Sequence, residues 1–274
     1  MTPGIGGKTV TRILARNDLL GRTPEGFLGL DAAVYREEYR MAAKPAAALK
    51  AHDVRETVEL ERKLDGLGVT LVTAADAHYP ARIEEFDTDP PGVLFLYGNL
   101  RLLEARTFCV LSSRNTSLAG LDKMERLAEE GVLGAEVLVT GHDRPEYQRT
   151  AIVPLRWGAP RVLVLDRGLF NVLGPTLRDE AFRAARLWRY EFDPTTDLVV
   201  SAFRPEADFV GINNRVRDRL IASLSARLDF IEISEGGNME KLIRASLKAK
   251  RPTRIWDCCI GYRAYRDLGA AVIE

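Results

Sequence analysis

Basic side chains are concentrated in one stretch of the chain, residues 212–254. This stretch contains ten basic and five acidic residues, whereas the whole sequence has 39 of each and a net charge of zero. Since a neutral protein has no overall field that attracts anions, a local excess of cations is suited to binding an anion at one place. Arg217 and Arg219 lie early in a predicted helix, 213–226, and Lys241 lies early in the next, 239–249. We expect all three to contact phosphate.

Three polar or glycine-rich segments follow predicted strands and are the other candidates for an anion site. They are SSRNTS at 112–117, TGHDRP at 140–145 and SEGGN at 234–238. Hydroxyl and amide groups cap helices, and glycines let backbone N–H groups approach a ligand closely. Asp143 and Glu235 oppose phosphate binding unless they are neutralised or turned away. The candidate phosphate ligands from these loops are Ser113, Arg114, Gly141, Gly236, Gly237 and Asn238.

The sequence offers little for catalysis. Its three histidines have no nearby serine or cysteine that signals a nucleophile, and none of the cysteines has the spacing of a zinc site. An acid–base pair formed by the adjacent His142 and Asp143 is the remaining alternative. Because adjacent residues in a loop seldom point at the same atom, we expect no catalytic residue, and we expect no metal and no cofactor.

The cysteines and the hydropathy pattern indicate where the protein functions. Cys109, Cys258 and Cys259 read as reduced thiols, with Cys109 inside a buried strand. No apolar run approaches the length of a membrane helix, and the N-terminus has no signal-peptide core. We expect a cytoplasmic protein without a membrane partner.

The elements that must position these residues alternate between short β-branched strands and amphipathic helices from residue 69 onwards. Such alternation requires crossover connections and predicts a mainly parallel sheet with helices on both faces. The fold class is therefore α/β and Rossmann-like, with a small helical N-terminal domain at 1–66 and the main domain at 67–274. Predicted strands are 69–73, 93–97, 107–112, 136–140, 161–166, 198–202, 228–234 and 254–258, and further helices are 54–67, 117–130, one after Pro145, and 176–190. In such a sheet the ligand binds at the carboxyl ends of the strands, where the three loops lie.

A glycine turn at residues 4–8 precedes a short helix in the N-terminal domain. The turn is either a plain tight turn or part of a helix-hairpin-helix motif that presents backbone N–H groups to a DNA phosphate. It does not have the spacing of a nucleotide P-loop.

Several segments, in order along the chain, resemble the DNA-processing protein A (DprA/Smf) family. RDRLIASLS at 217–225 resembles the family's RNRIIAGLS, and SSR at 112–114 stands where the family has GSR. DAHYP at 76–80 and DPPGVLFLYG at 89–98 resemble the family's entry segment, and VLDRGL at 164–169 resembles its strand ending in a glycine loop. GGN at 236–238 stands at the position of the family's SGS turn, and GA at 269–270 matches its closing Gly-Ala pair. The family's SGLAxGID loop is replaced by TGHDRP, which keeps the glycine, Gly141. We expect no C-terminal winged-helix extension.

The resemblance implies a non-enzymatic homodimer that binds single-stranded DNA and loads the RecA recombinase on it during natural transformation. Such binding needs a cationic groove and usually aromatic platforms for bases. Phe170 is the best candidate for a platform, and a place in the core or in an interface is the alternative for this residue. The alternative is a nucleotide-binding or nucleotide-cleaving protein of the LOG type, in stress or phage defence. EGGNME at 235–240 retains the glycine pair and the glutamate, Glu240, of the LOG loop. A structural partner that kept the fold and the dimer but lost the ligand is a third possibility.

Overall fold

The computed structural model describes residues 5–274, which form two compact units. The first unit contains the chain up to Tyr79 together with Asp89–Phe95, and the second contains Pro80–Thr88 and Leu96–Glu274. The described part of the predicted helical domain, 1–66, lies within the first unit. That unit also takes in a strand and a proline-rich segment.

The first unit is mainly helical. An aromatic core lies between the short helices, where Phe27 and Tyr35 meet edge to face with ring centroids 5.1 Å apart. The Tyr35 hydroxyl donates a hydrogen bond to the Phe27 carbonyl oxygen at 2.8 Å, so this buried polar group is satisfied. The elements are α1 (Gly7–Leu20), α2 (Pro24–Leu28), α3 (Ala32–Glu37), α4 (Ala43–Lys50), α5 (Val54–Gly66), β1 (Val69–Thr73) and the first half of β2 (Val93–Gly98).

Gly7, at the start of α1, and Gly92 allow close packing of the backbone. A Cβ atom at Gly7 would lie 2.5 Å from the carbonyl oxygen of Pro90, and one at Gly92 would lie 3.0 Å from the Gly7 nitrogen. Only glycine lets these two segments touch. The plain turn and the helix-hairpin-helix motif both stay open as predictions. Gly4, the first residue of the predicted turn, lies outside the described residues.

The second unit contains a parallel sheet. Strands lie in the order β6-β5-β4-β3-β7-β8-β9, with the end of β2 beside β6. Every pair from β3 to β9 is parallel, so crossover helices join the strands, and the predicted α/β Rossmann-like class is confirmed. The elements are α6 (Ala81–Phe86), β3 (Thr107–Leu111), α7 (Leu118–Leu133), β4 (Val137–Thr140), α8 (Pro145–Trp157), β5 (Arg161–Val164), α9 (Phe170–Leu173), β6 (Leu198–Ser201), α10 (Asn213–Leu224), β7 (Arg227–Phe230), α11 (Asn238–Lys248), β8 (Thr253–Trp256), α12 (Tyr262–Asp267) and β9 (Ala271–Ile273).

The central strands are buried on both faces, which is why they read as continuous apolar runs in the sequence. All residues of β3, β4, β5 and β6 are buried, Cys109 among them, and Phe108 and Leu138 pack against Met124 of α7. No helix in the described part of the chain is long and apolar enough to cross a bilayer.

The predicted helix at 176–190 is wrong. Only a 3₁₀ turn at Arg183–Leu187 forms there, and Leu177 has a φ of 58°, outside the right-handed helical region. The segment is instead held by the buried Arg161, whose Nη2 donates to Glu180 Oε2 at 2.8 Å and whose Nε donates to Asp197 at 2.8 Å. Because a buried guanidinium must have its charge compensated, this pairing outweighs the local helical preference.

Candidate nucleic-acid interface

The three polar loops of the sequence meet at one edge of the sheet. They follow β3, β4 and β7, which are neighbours in the order β4-β3-β7. From β3 the chain proceeds outwards through β4, β5 and β6, and then returns to place β7 on the other side of β3. This reversal is the topological switch point at which open α/β sheets bind ligands.

A cleft of about 510 Å³ opens at this edge. It contains six of the nine predicted phosphate ligands, and Gly141, Arg217 and Arg219 do not line it. We call it the cationic cleft; its lining residues are Ser113, Arg114, Asn115, Arg144, Gly211, Asn214, Arg215, Asp218, Ser234, Gly236, Gly237, Asn238, Met239 and Lys241.

Four basic side chains line the cationic cleft. Arg114, Arg215 and Lys241 are exposed, and Arg144 is half-buried with its guanidinium 4.8 Å from the centroid of the Tyr147 ring. The Nε and Nη2 atoms of Arg144 are buried and have no hydrogen-bond partner among the described residues. The exposed cationic groups that an anion can reach in the cleft are therefore those of Arg114, Arg215 and Lys241.

The first loop is fastened to the third by Ser113. Its hydroxyl accepts a hydrogen bond from the Ser234 N–H at 2.8 Å, and its own N–H donates to the Glu232 carbonyl oxygen at 2.8 Å. Ser117 caps α7 by accepting from the Gly120 N–H at 3.0 Å, as the hydroxyl pattern of this loop predicts. These bonds hold Arg114 at the mouth of the cleft.

The third loop ends in the N-terminus of α11. Gly236 has a φ of 70°, which favours glycine, and Gly237 begins the helix without a side-chain cap. The Gly236 N–H donates to Glu240 Oε2 at 2.6 Å, and this bond, together with the larger effect of Arg244, holds the pKa of Glu240 below its ordinary value. Since Gly237 and Asn238 at the start of α11 line the cleft, the positive end of the helix dipole lies at the cationic cleft.

Arg217 is fully buried beneath the cleft. Its guanidinium donates to Asp143 and, from Nε at 2.8 Å, to Asp218, and it lies 4.5 Å from the centroid of the Tyr147 ring. Burial alone would lower the pKa of Arg217, but Tyr147 and the two carboxylates outweigh this and raise it. The arginine neutralises Asp143, the acidic residue of the second loop that opposed phosphate binding in the sequence.

Asp218 joins this buried network to α11. The Tyr147 hydroxyl donates to Asp218, and the Asn238 side-chain amide donates to Asp218 Oδ2 at 2.9 Å. The pKa of Tyr147 is raised, first by burial and then by the Asp218 charge. Asn238, a predicted phosphate ligand, is thus fixed by its side chain and presents its backbone at the helix start.

Two other predicted ligands have structural partners away from the cleft. Arg219 is half-buried, and its Nε donates to Asp87 Oδ2 at 2.8 Å where α10 packs on α6. A Cβ atom at Gly141 would lie 2.8 Å from the Tyr147 ring, so the glycine makes room for that ring. The roles of Gly141, Arg217 and Arg219 as direct phosphate ligands stay predictions, and the lining of the cleft does not support them.

The adjacent His142 and Asp143 do not form an acid–base pair, because each has another partner. His142 is buried with Nε2 3.3 Å from Asp166 Oδ1, whereas Asp143 is held by Arg217. Burial would raise the pKa of Asp166, but hydrogen bonds from His142 and Arg167 outweigh it and hold the pKa well below its ordinary value. Within residues 5–274 no cluster of His, Cys, Asp or Glu is arranged to hold a metal ion.

Comparison with known families shows to which family the chain belongs. The family model for DNA recombination-mediator protein A matches residues 70–253, about two-thirds of the chain. The chain belongs to this family. Family membership identifies it as a DNA-processing protein of recombination, as the ordered motifs of the sequence implied.

Two solved structures of family members have the same fold. DNA processing protein A from Streptococcus pneumoniae superimposes with a TM-score of 0.76 at 18% identity, over 99% of this chain and 91% of that one. The protein from Helicobacter pylori, described for its single-stranded DNA binding mode, gives a TM-score of 0.57 at 14% identity, over 75% of this chain and 90% of that one. No curated protein sequence shows a significant match.

Sequence reasoning missed Arg144 and Arg215 as residues of the cleft. Arg144 belongs to a loop already singled out, and its place just before the first turn of α8 was a usable signal. Arg215 lies two residues before Arg217, so the two side chains point about 200° apart on the helix and only one can face the solvent. Since Arg217 is spaced i, i+3, i+4 and i+7 with Leu220, Ile221 and Leu224, its place on the buried face was readable from the pattern.

Proposed function

We propose that this protein binds single-stranded DNA in the cationic cleft and acts, without catalysis, as a recombination mediator. The observation that carries the proposal is the convergence of Arg114, Arg144, Arg215 and Lys241 around the N-terminus of α11. A flexible strand of phosphates fits such a site, because cations that track the backbone bind nucleic acid without reading its sequence.

Three acidic residues near the cleft have arginine partners, which lowers their repulsion of a phosphate, and Asp143 and Asp218 share the single charge of Arg217. The third, Glu240, pairs with Arg244 at 2.8 Å. Arg114, Arg144, Arg215 and Lys241 therefore dominate the potential that an incoming phosphate meets.

A titration of labelled single-stranded oligonucleotide, followed by fluorescence anisotropy, tests the proposal. If each of the four cations neutralises one phosphate, log affinity falls with log salt with a slope of about −2.8, or about fiftyfold between 50 and 200 mM salt. Arg215→Ala or Lys241→Ala should weaken binding and reduce the slope by about 0.7 each. Absence of binding by the wild-type protein at low salt would sink the proposal.

Lys248→Ala is the matched control, since Lys248 is exposed at the opposite end of the helix that carries Lys241. We expect its affinity and slope to equal those of the wild type. If Lys248→Ala weakens binding as much as Lys241→Ala does, the strand is bound on another surface.

A small nucleotide is the second candidate ligand, because the volume of the cleft falls within the range of small-molecule sites. A ligand that binds only the folded state raises the melting temperature, so a thermal-shift series with mono- and dinucleotides discriminates between the two. Stabilisation by a nucleotide, combined with no affinity for a single strand, would favour this candidate.

The family resemblance adds two finer steps, assembly as a homodimer and delivery of the strand to the RecA recombinase. We include both in the proposal. Sedimentation velocity measures the first, and the rate at which RecA assembles on a strand already covered by single-strand-binding protein measures the second. A monomer at micromolar concentration, or an unchanged RecA rate, would remove the corresponding step while leaving DNA binding intact.

A further inference from the structure

An exposed apolar loop, residues 209–212, lies beside the cationic cleft. Phe209, Val210 and Ile212 are 41%, 59% and 59% exposed, and Gly211 between them lines the cleft. Single exposed apolar residues are ordinary, but three within four positions at the rim of a polar site form a patch of the kind that marks binding surfaces.

The segment that leads into the loop, residues 204–207, is held by Gly168 and by Asn171 of α9. The side-chain amide of Asn171 donates to the carbonyl oxygens of Glu206 at 3.1 Å and Ala207 at 2.8 Å, and the Gly168 N–H donates to Ala207 at 2.9 Å. A Cβ atom at Gly168 would lie 2.2 Å from the Arg204 carbonyl oxygen, so the two backbones are in direct contact. Because the backbone is fixed immediately before the loop, the loop has less conformational entropy to lose when a ligand binds to it.

The loop is also tied to the charge network beneath the cleft. Asn213, the residue that follows it, is buried, and its side-chain amide donates to the Asp166 carbonyl oxygen at 2.8 Å. The guanidinium of Arg167 lies over the Phe209 ring at 5.2 Å from its centroid, and Arg167 is itself held by Asp166 at 2.8 Å. Arg167 therefore contacts the Phe209 ring, and the phenylalanine keeps a solvent-exposed part.

We propose that the apolar loop 209–212 contacts the bases of the bound strand and that Phe209 is the platform on which a base stacks. This inference rests on the proposed function, since the cationic cleft must hold the phosphates. Phe209 lies two residues from Gly211, which places their Cα atoms within about 7.6 Å of each other. A nucleotide whose phosphate enters the cleft has its base within reach of this loop. Every base has a π face, so a single phenylalanine serves any sequence.

The test compares two oligonucleotides of equal length, one with bases and one with abasic sites throughout, by fluorescence anisotropy. Both carry the same phosphates, so any difference in affinity measures contacts with bases. We expect the wild-type protein to prefer the strand with bases by about tenfold, equal to about 1.4 kcal/mol and within the range for one stacked base. Phe209→Ala should abolish this preference and leave the abasic affinity and its salt dependence unchanged.

The control is Leu187→Ala, which removes an apolar side chain that is 85% exposed and does not line the cleft. It should keep the tenfold preference. If Phe209→Ala retains the preference, or if the wild-type protein binds both strands equally, the inference is overturned while phosphate binding stands. If the wild-type protein binds neither strand, the proposed function itself fails.

Phe209→Trp provides an independent measurement. The chain has three native tryptophans, whose response is subtracted with the wild-type protein. Stacking on the new indole should quench its fluorescence in proportion to the bound strand that carries bases. Quenching of equal size by the abasic strand would overturn the assignment of Phe209 as a base platform.

Discussion

Replacing Arg217 should damage the fold, whereas replacing Arg215 should damage binding. The two residues are neighbours on α10 with opposite surroundings. Arg217 is buried and compensates Asp143 and Asp218, whereas Arg215 is exposed and lines the cationic cleft. Methionine is the appropriate substitution at both positions, because it approximates the length of the side chain and removes its charge.

The size of the effect follows from what Arg217→Met leaves behind. Two largely buried carboxylates, whose side chains are 11% and 6% exposed, lose their shared counter-charge, and removing one partner of a buried ion pair costs about 3–5 kcal/mol. In a domain of this size each kcal/mol lowers the melting temperature by about 2–4 °C, so a fall of about 6–20 °C is expected. Arg215→Met, on the surface, should change the free energy of unfolding by less than about 0.5 kcal/mol.

Thermal and urea unfolding, monitored by circular dichroism, measure the stability of both variants, and anisotropy measures their affinity for a single strand. The double variant Arg217→Met with Asp143→Asn should recover part of the lost stability, because it removes one of the two uncompensated charges. If Arg217→Met keeps the wild-type free energy of unfolding and loses affinity as Arg215→Met does, then Arg217 contacts DNA directly and the structural role given to it here is refuted.

Two further predictions concern packing and thiol chemistry. Gly7→Ala should destabilise the first unit by about 1–3 kcal/mol, because the new Cβ atom would lie 2.5 Å from the Pro90 carbonyl oxygen. Gly6→Ala is its control, as no atom lies within 4 Å of a Cβ there; equal urea midpoints for the two variants would contradict the reasoning. Cys109 is fully buried and burial raises its pKa to about 12, so a thiol reagent should label the exposed Cys258 first in the native protein and Cys109 only on unfolding. Mass spectrometry of the labelled peptides checks the order, and early labelling of Cys109 would contradict it.

The order of strands and helices was largely predictable from the sequence, for a physical reason. Parallel strands are buried on both faces, so segments such as Thr107–Leu111 and Leu198–Ser201 are short apolar runs bounded by polar residues. The position of the site followed from the same argument, because the carboxyl ends of these strands must share one edge. Six predicted ligands accordingly line one cleft.

The ion pairs between residues far apart in the chain could not be predicted from the sequence. Arg217 meets Asp143 from 74 positions away, and Arg161 meets Glu180 from a segment whose own pattern predicted a helix. Local periodicity carries no information on which carboxylate will compensate a buried guanidinium. Periodicity shows that Arg217 lies on the buried face of its helix, but it does not show which of the exposed arginines line the cleft.

The structure shows which basic residues give the cleft its positive potential. Many basic residues of 212–254 are compensated by ion pairs. Arg219 pairs with Asp87, Arg244 pairs with Glu240, and Arg254 pairs with Asp229. Arg215 and Lys241 are the basic residues of that stretch that line the cationic cleft. The other two basic residues of the lining, Arg114 and Arg144, come from loops elsewhere in the chain.

The salt dependence of binding shows whether all ten basic residues of 212–254 or the four basic residues of the cleft bind the phosphates. Ten cations acting on ten phosphates would give a slope of about −7, whereas the four residues of the cleft give about −2.8. A measured slope near the smaller value would mean that the buried arginines act by neutralising acidic residues around the site. A slope near the larger value would require the ion pairs of α10 and α11 to open when DNA binds, which the burial of Arg217 and Asp218 opposes.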